Sequence, residues 1–155
     1  MNMDTLHAEF KPSLMTALEE ILDKMAFMVF EPVGVGELPP ANFAYTSQIA
    51  FSGRLSGSMQ VYLTQVTAED FARNLIGIRK EDVLHPETLE DALREFSNIL
   101  MGRALSLLAP KEHFDLELPS VQAGAGVPEA QPTFRIEGTL DEVEPCRIDV
   151  ILKTS

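Results

Sequence analysis

Helical and strand periodicities alternate along this chain. Over 88–108, Leu89, Leu93, Phe96, Leu100, Ala104 and Leu107 gather within about 80° of one another at 100° per residue, so the stretch is predicted to be one amphipathic helix. An earlier stretch, 10–30, places Leu14, Leu18, Ile21, Leu22, Met25 and Met28 at similar spacing and predicts a long core helix with Pro12 in its first turn. Alternation with a period of two takes over at 43–51 and 55–63, on either side of the hairpin signal Ser52-Gly53-Arg54. That phase sets Ile49 and Phe51 opposite Met59, Val61 and Leu63 on a buried face, with Gly57 marking a bulge or a close contact.

Punctuation residues divide the rest. Gly- and Pro-rich 31–42 is a connector, Thr67-x-x-Asp70 opens a short helix that Gly77 closes, and Pro86 stands just ahead of the central helix. Beyond Pro110, strands are predicted at 114–118, 132–140 and 146–153, with 122–131 a loop containing Gly124, Gly126 and Pro128. In the last of these strands Ile148, Val150 and Leu152 alternate with Arg147, Asp149 and Ile151. The order of helix, two strands, two helices and three strands predicts one α+β domain over 1–155, two layers deep, with helices on one face of a mostly antiparallel sheet.

Composition narrows the function. The chain has 155 residues and is 45% hydrophobic, enough for a sizeable core. With 24 acidic and 12 basic residues its net charge is −12, which argues against nucleic acid and anionic membrane surfaces as partners. Cys146 is the one cysteine, so no internal disulfide forms, and its strand position reads as a buried core residue. The opening residues carry no basic n-region with an apolar run, and no apolar run approaches ~18 residues, so a reducing cytoplasm is the expected compartment.

Few residues offer chemistry. His7, His85 and His113 lack metal-ligand spacing, and His85 before Pro86 reads as a turn or cap residue. No phosphate-binding loop, nucleophile elbow or dinucleotide fingerprint occurs, and the seven methionines read as core filler. The outward face of the central helix is different. Asp91, Glu95, Asn98 and Gly102 fall within about 60° of one another, opposite the core stripe. Asp91 and Glu95 are like charges four residues apart, costing roughly 0.2–0.5 kcal/mol, and a mid-helix Gly102 costs about 1 kcal/mol relative to Ala. A solvated face also accommodates these residues, with Thr88 and Asp91 in a capping box, Glu90 supporting Arg94, and Gly102 at a close helix crossing.

Asp91-x-x-x-Glu95-x-x-Asn98-x-x-x-Gly102, with the flanking Ala92-Leu93, Ile99 and the later Leu118-Pro119-Ser120-Val121, resembles the signature of the CheC/CheX family of chemotaxis phosphatases. Members of that family dephosphorylate the response regulator CheY. The resemblance implies an α+β phosphatase acting on a phosphorylated CheY-like receiver, with Glu95 and Asn98 catalytic and Asp91, Gly102 and Pro119 at the partner contact. In that setting Asn98 orients the attacking water, and Glu95 pairs with the partner's active-site Lys. The chain needs no cofactor of its own, because Mg²⁺ is held by the receiver. A homodimer joined at a sheet edge is also implied. A non-catalytic adaptor using the same helix face is the alternative, and an orphan domain with no retained partner is a third reading.

The first helix echoes the central one, since Ala17-Leu18-Glu19-Glu20-Ile21-Leu22-Asp23 lines up with Ala92-Leu93-Arg94-Glu95-Phe96-Ser97-Asn98. The CheC branch is known for two pseudo-symmetric sites. Here Asp23 stands in the Asn position and Phe27 in the Gly position, so the resemblance implies a single working site, closer to CheX than to CheC.

Overall fold

A computed structural model describes residues 2–38, 41–124 and 131–153. Pro39, Pro40, Gly126 and Pro128, read above as connector and loop residues, lie outside the described residues. The first helix, α1 (Met3–Ile21), begins seven residues before the predicted start, because Asn2 caps it by accepting from the Thr5 N–H at 2.8 Å. Pro12 is therefore inside the helix rather than in its first turn; it and Ala8, whose carbonyl loses its usual donor, both lie exposed on the solvent side of the helix. The helix also ends early. A single wide π turn, Leu22–Ala26, leads into Phe27 in the left-handed region (φ 56°), and β1 (Phe30–Val33) follows where the sequence predicted helix end and connector.

The hairpin of β2 (Phe43–Gly53) and β3 (Ser56–Thr64) holds Ile49 opposite Met59 and Phe51 opposite Gly57. Gly57 is a close contact rather than a bulge, since a Cβ there would run into the Ile151 carbonyl. Thr64, not Thr67, caps α2 (Gln65–Ile76) by accepting from the Thr67 N–H, and Gly77 (φ 75°) closes it as predicted. The central helix α3 (Pro86–Leu108) starts at Pro86 with His85 as its N-cap residue, so Thr88 and Asp91 form no capping box. Leu107 is only half-buried, while Ser97 and Met101 join the buried face.

Four strands complete the sheet: β4 (Phe114–Leu116), β5 (Ser120–Ala123), β6 (Phe134–Leu140) and β7 (Glu144–Lys153). The predicted strand 114–118 stops at Leu116, and β5 occupies the start of the stretch read as loop. All pairs are antiparallel in the order β1-β6-β7-β3-β2-β4, with β5 also on β2. The helices lie on one face. Phe10 of α1 packs against Phe51 and Phe134 of the sheet at 5.6 and 5.8 Å, and Phe71 of α2 against Phe96 of α3 at 4.7 Å. Three helices on one antiparallel sheet make the α+β fold that the pattern predicted.

The opposite face is polar but not all solvated. Asp149 is buried, paired with Arg135 at 2.6 Å, and Glu137 accepts from Arg147 at 3.4 Å and from the Gly36 N–H at 2.9 Å. Their carboxylates stay out of water because each has charged or amide donors.

Chain order divides the molecule into halves of one plan, a helix, an edge strand and a hairpin. α1, β1, β2 and β3 make one half, and α3, β4 with β5, β6 and β7 the other, with α2 between them. The sheet order reads the same when the halves are exchanged: β1 borders the hairpin of the second half, while β4 and β5 border the hairpin of the first. α1 and α3 thus occupy corresponding places, in keeping with the echo between 17–23 and 92–98.

Candidate functional site

The register of the edge strand builds the site. Leu116 pairs with Phe51 and Ser120 with Gln48, so three residues, 117–119, stand opposite two, Ala50 and Ile49. This is a one-residue bulge. Pro119 sits within it, where a residue without an N–H does the ladder least harm, while the Glu117 N–H still reaches the Ala50 carbonyl at 2.9 Å. The half-buried positions switch phase across the bulge, from Phe114 and Leu116 to Val121, and Leu118 is ejected to 94% exposure.

α3 lies along this edge and is pinned from behind the outward stripe. Ser47 of β2 donates to the Leu93 carbonyl at 3.3 Å and meets the Ser97 hydroxyl at 2.5 Å, all of it buried. Because Ser97 lies between Glu95 and Asn98 in sequence but faces the sheet, this seam fixes the rotation of the helix and turns its neighbours outward. Glu95 and Asn98 are both exposed, and among the described residues neither side chain has a hydrogen bond or ion pair. With Asp91, Arg94, Leu116, Glu117, Leu118 and Pro119 they line an open groove of about 580 Å³.

Charges along the groove are unequally matched. Arg94 is bound by Asp91 at 2.6 Å and Glu90 at 3.6 Å, the second being the pair expected from sequence. Asp91 is therefore compensated within its own helix, and among the described residues Glu95 is left as a carboxylate with no cation. Gly102 lies apart from the other four, in a neighbouring depression of about 270 Å³ shared with Leu105, Ser106 and Phe114; Leu116 lines both. A Cβ on Gly102 would meet only Leu116 Cδ1, at 3.9 Å, so no close helix crossing requires glycine there. Sequence reasoning quoted Leu118 in the stretch around Pro119 but placed it in a strand and gave it no part in the site. The signal for it was the phase switch at Pro119.

The corresponding place on α1 is built differently. Glu20 accepts from Arg103 of α3 at 3.2 Å and from Lys24 at 3.1 Å, and the Arg103 guanidinium, then the Lys24 ammonium, hold its carboxyl below the usual glutamate range. Asp23 is exposed but lies in the π turn, and Phe27 falls beyond the helix, so it does not fill a Gly102-like position on a continuing helical face.

The remaining candidates are elsewhere. Cys146 is fully buried on β7, and burial pushes its thiol up to about 12, which keeps it protonated and unreactive. His113 meets Asp115 on the surface at 3.0 Å. Among the described residues no cluster of three His, Cys, Asp or Glu side chains is placed to hold a metal, and no helix is long and apolar enough to cross a membrane.

Residues 45–136 match the family described as chemotaxis phosphatase CheX. By sequence, no curated protein matches the chain. Among solved structures, the chemotaxis protein CheX from Vibrio vulnificus is similar at 22% identity, over 95% of this chain and 98% of that one, with a TM-score of 0.77. A CheC-like superfamily protein from Shewanella sp. PV-4 is 21% identical, over 99% of this chain and 100% of the other, at 0.73. A complex of CheX with CheY, BeF₃ and Mg²⁺ from Borrelia burgdorferi is similar at 17% identity, covering 94% and 98% of the two chains, at 0.74. The family match runs from β2 to β6 and contains the whole of α3, and with the fold held in common from end to end this chain belongs to the CheX family.

Proposed function

We propose that this protein accelerates hydrolysis of the aspartyl phosphate on a CheY-like response regulator, using the groove between α3 and the bulged edge strand. The observation that carries this reading is that Glu95 and Asn98 stand one helical turn apart, exposed and without partners, on a helix locked against the sheet. Unmatched polar groups on a rigid support are suited to a partner's active site. The solved complex of CheX with CheY from Borrelia burgdorferi supports a receiver as that partner.

An acyl phosphate is already reactive, so what the groove supplies is a positioned water. The Asn98 carbonyl accepts from that water while its NH₂ donates to a phosphoryl oxygen. An amide is too weak a base to take the proton, so the effect is orientation, the role a glutamine has in GTP hydrolysis. Glu95, lacking a cation of its own, pairs with the receiver's active-site Lys and sets the register of docking. Mg²⁺ belongs to the receiver in this reading, and no covalent intermediate forms on this chain. Leu118 and Pro119 form the apolar lip, Asp91 adds charge at the contact, and Gly102 leaves a shallow gap beside it. A homodimer joined along a sheet edge belongs to the same reading, and sedimentation velocity tests it.

The direct test is the decay of a phosphorylated CheY-like receiver with and without the protein. Acceleration is expected. Binding without acceleration would make this chain an adaptor, and neither would remove the reading altogether.

A further inference from the structure

At the strand ends where β3 leads into α2, a second groove of about 330 Å³ opens between the start of α2 and the turn joining β6 to β7. Met28, Leu140, Val66 and Val143 line it, the last two 53% and 75% exposed. Val29, 57% exposed, extends the same lip, since its N–H donates to Asp141 Oδ1 and its carbonyl accepts from the Asp141 N–H, both at 2.9 Å. Phe27, two residues earlier, is 75% exposed. Half of the exposed large apolar residues recorded for the described chain thus fall on these few segments. The left-handed backbones of Phe27, Asp141 and Glu142 also lie here and shape the turns that carry them.

We propose that this groove binds a cationic amphipathic segment of another protein, with aliphatic side chains between Val66 and Val143 and Lys or Arg on the surrounding carboxylates. Charge selects this occupant. Segments 64–70 and 140–145 hold Glu69, Asp70, Asp141, Glu142 and Glu144 and no Lys or Arg. Two of these are already oriented, Asp141 by the Val29 N–H and Glu144 by the Thr64 hydroxyl at 3.2 Å. A second copy would bring the same carboxylates against themselves on a chain of net charge −12. A wholly apolar partner would desolvate them without compensation. The proposal does not rest on the phosphatase reading, because the two grooves share no lining residue.

The test is titration of the intact protein with a short helical peptide of Leu and Lys, followed by amide chemical shifts. Shifts are expected at 28–29, 66–70 and 140–144. Val66→Ser with Val143→Ser, both exposed positions, is expected to weaken binding about tenfold or more. Glu142→Lys, on an exposed turn, is expected to weaken it by a smaller factor. A peptide with Glu for Lys, or Ser for Leu, is expected to bind far less. Shifts spread over the whole acidic surface or centred on the α3 groove would overturn the proposal, as would unchanged affinity in the double variant. Concentration-dependent broadening at the same amides without peptide would assign the groove to a second copy and overturn it too.

Discussion

α1 and α3 hold corresponding places in one two-fold plan, yet only α3 presents free chemistry. On α3 the outward carboxylate Glu95 and amide Asn98 have no partner among the described residues and stand beside a bulged edge; on α1 the matching carboxylate, Glu20, is tied to Arg103 and Lys24, and the helix turns through a π turn into left-handed Phe27. The difference teaches that corresponding residues do not make corresponding sites. What separates the halves is whether the carboxylate has a cation within its own chain, and whether the position matching Asn98 is an amide on a continuing α-helix or, as at Asp23, a carboxylate in a π turn.

The largest expected effect is Asn98→Ala. Loss of water orientation should lower the rate of receiver dephosphorylation on the order of 10²-fold, with fold and binding nearly unchanged. Single-turnover decay measures the first and calorimetric titration the second; an undiminished rate would remove Asn98 from the mechanism.

Glu95→Lys comes next, expected to weaken association with the phosphorylated receiver by about tenfold or more, since it sets one cation against another. Glu95→Ala should weaken it less. Equal affinity for both variants and the parent would end the anchor assignment and, with it, the contrast to Glu20.

Leu118→Ser is expected to raise KM by about fivefold while leaving kcat in place, as loss of uniform binding does. A fall in kcat alone would instead make the bulge part of the chemistry.

Gly102→Ala separates local stability from docking. Alanine fits against Leu116, so thermal unfolding should show a gain of about 1 kcal/mol. If the gap admits the receiver, association should weaken two- to threefold at the same time, about 0.5 kcal/mol. A gain in both would mean that the gap has no part in docking.

Glu20→Ala is expected to leave the phosphatase rate unchanged. Its effect falls on stability and is small, because the ion pair is solvent-exposed. Sign follows from the depressed carboxyl: the contribution is present above the usual glutamate range and is lost as pH falls through the lowered value, so parent and variant should converge in acid melts. A halved rate with the fold intact would show a second working site on α1.

The strongly patterned stretches were legible in the sequence for plain physical reasons. α3 and the β2–β3 hairpin each bury one face, so burial imprints its period on their residues. β1 and β5 were not legible: each is four residues long at a sheet edge, with a proline inside or just before it, and reads as connector. The start of α1 was missed because Pro12 looked like a first-turn residue, whereas the cap is Asn2. In the groove, the stripe from Asp91 to Asn98 follows from helical spacing alone. That Glu95 lacks a cation while Glu20 has one depends on where Arg103 reaches across to α1, a tertiary fact with no local signature.

The one-residue bulge at 117–119 has a consequence for how this family member could lose or regain its partner. Removing any one of the three residues would leave two opposite Ala50 and Ile49, and the edge strand would run in a single register from β4 into β5. Leu118 and Pro119 would then no longer project as a lip, although Glu95, Asn98 and the seam behind them would be untouched. A three-nucleotide deletion is thus enough to flatten the docking edge while every residue of the helix motif remains in the gene, so the presence of that motif in a relative's sequence is no guarantee of the surface needed to use it.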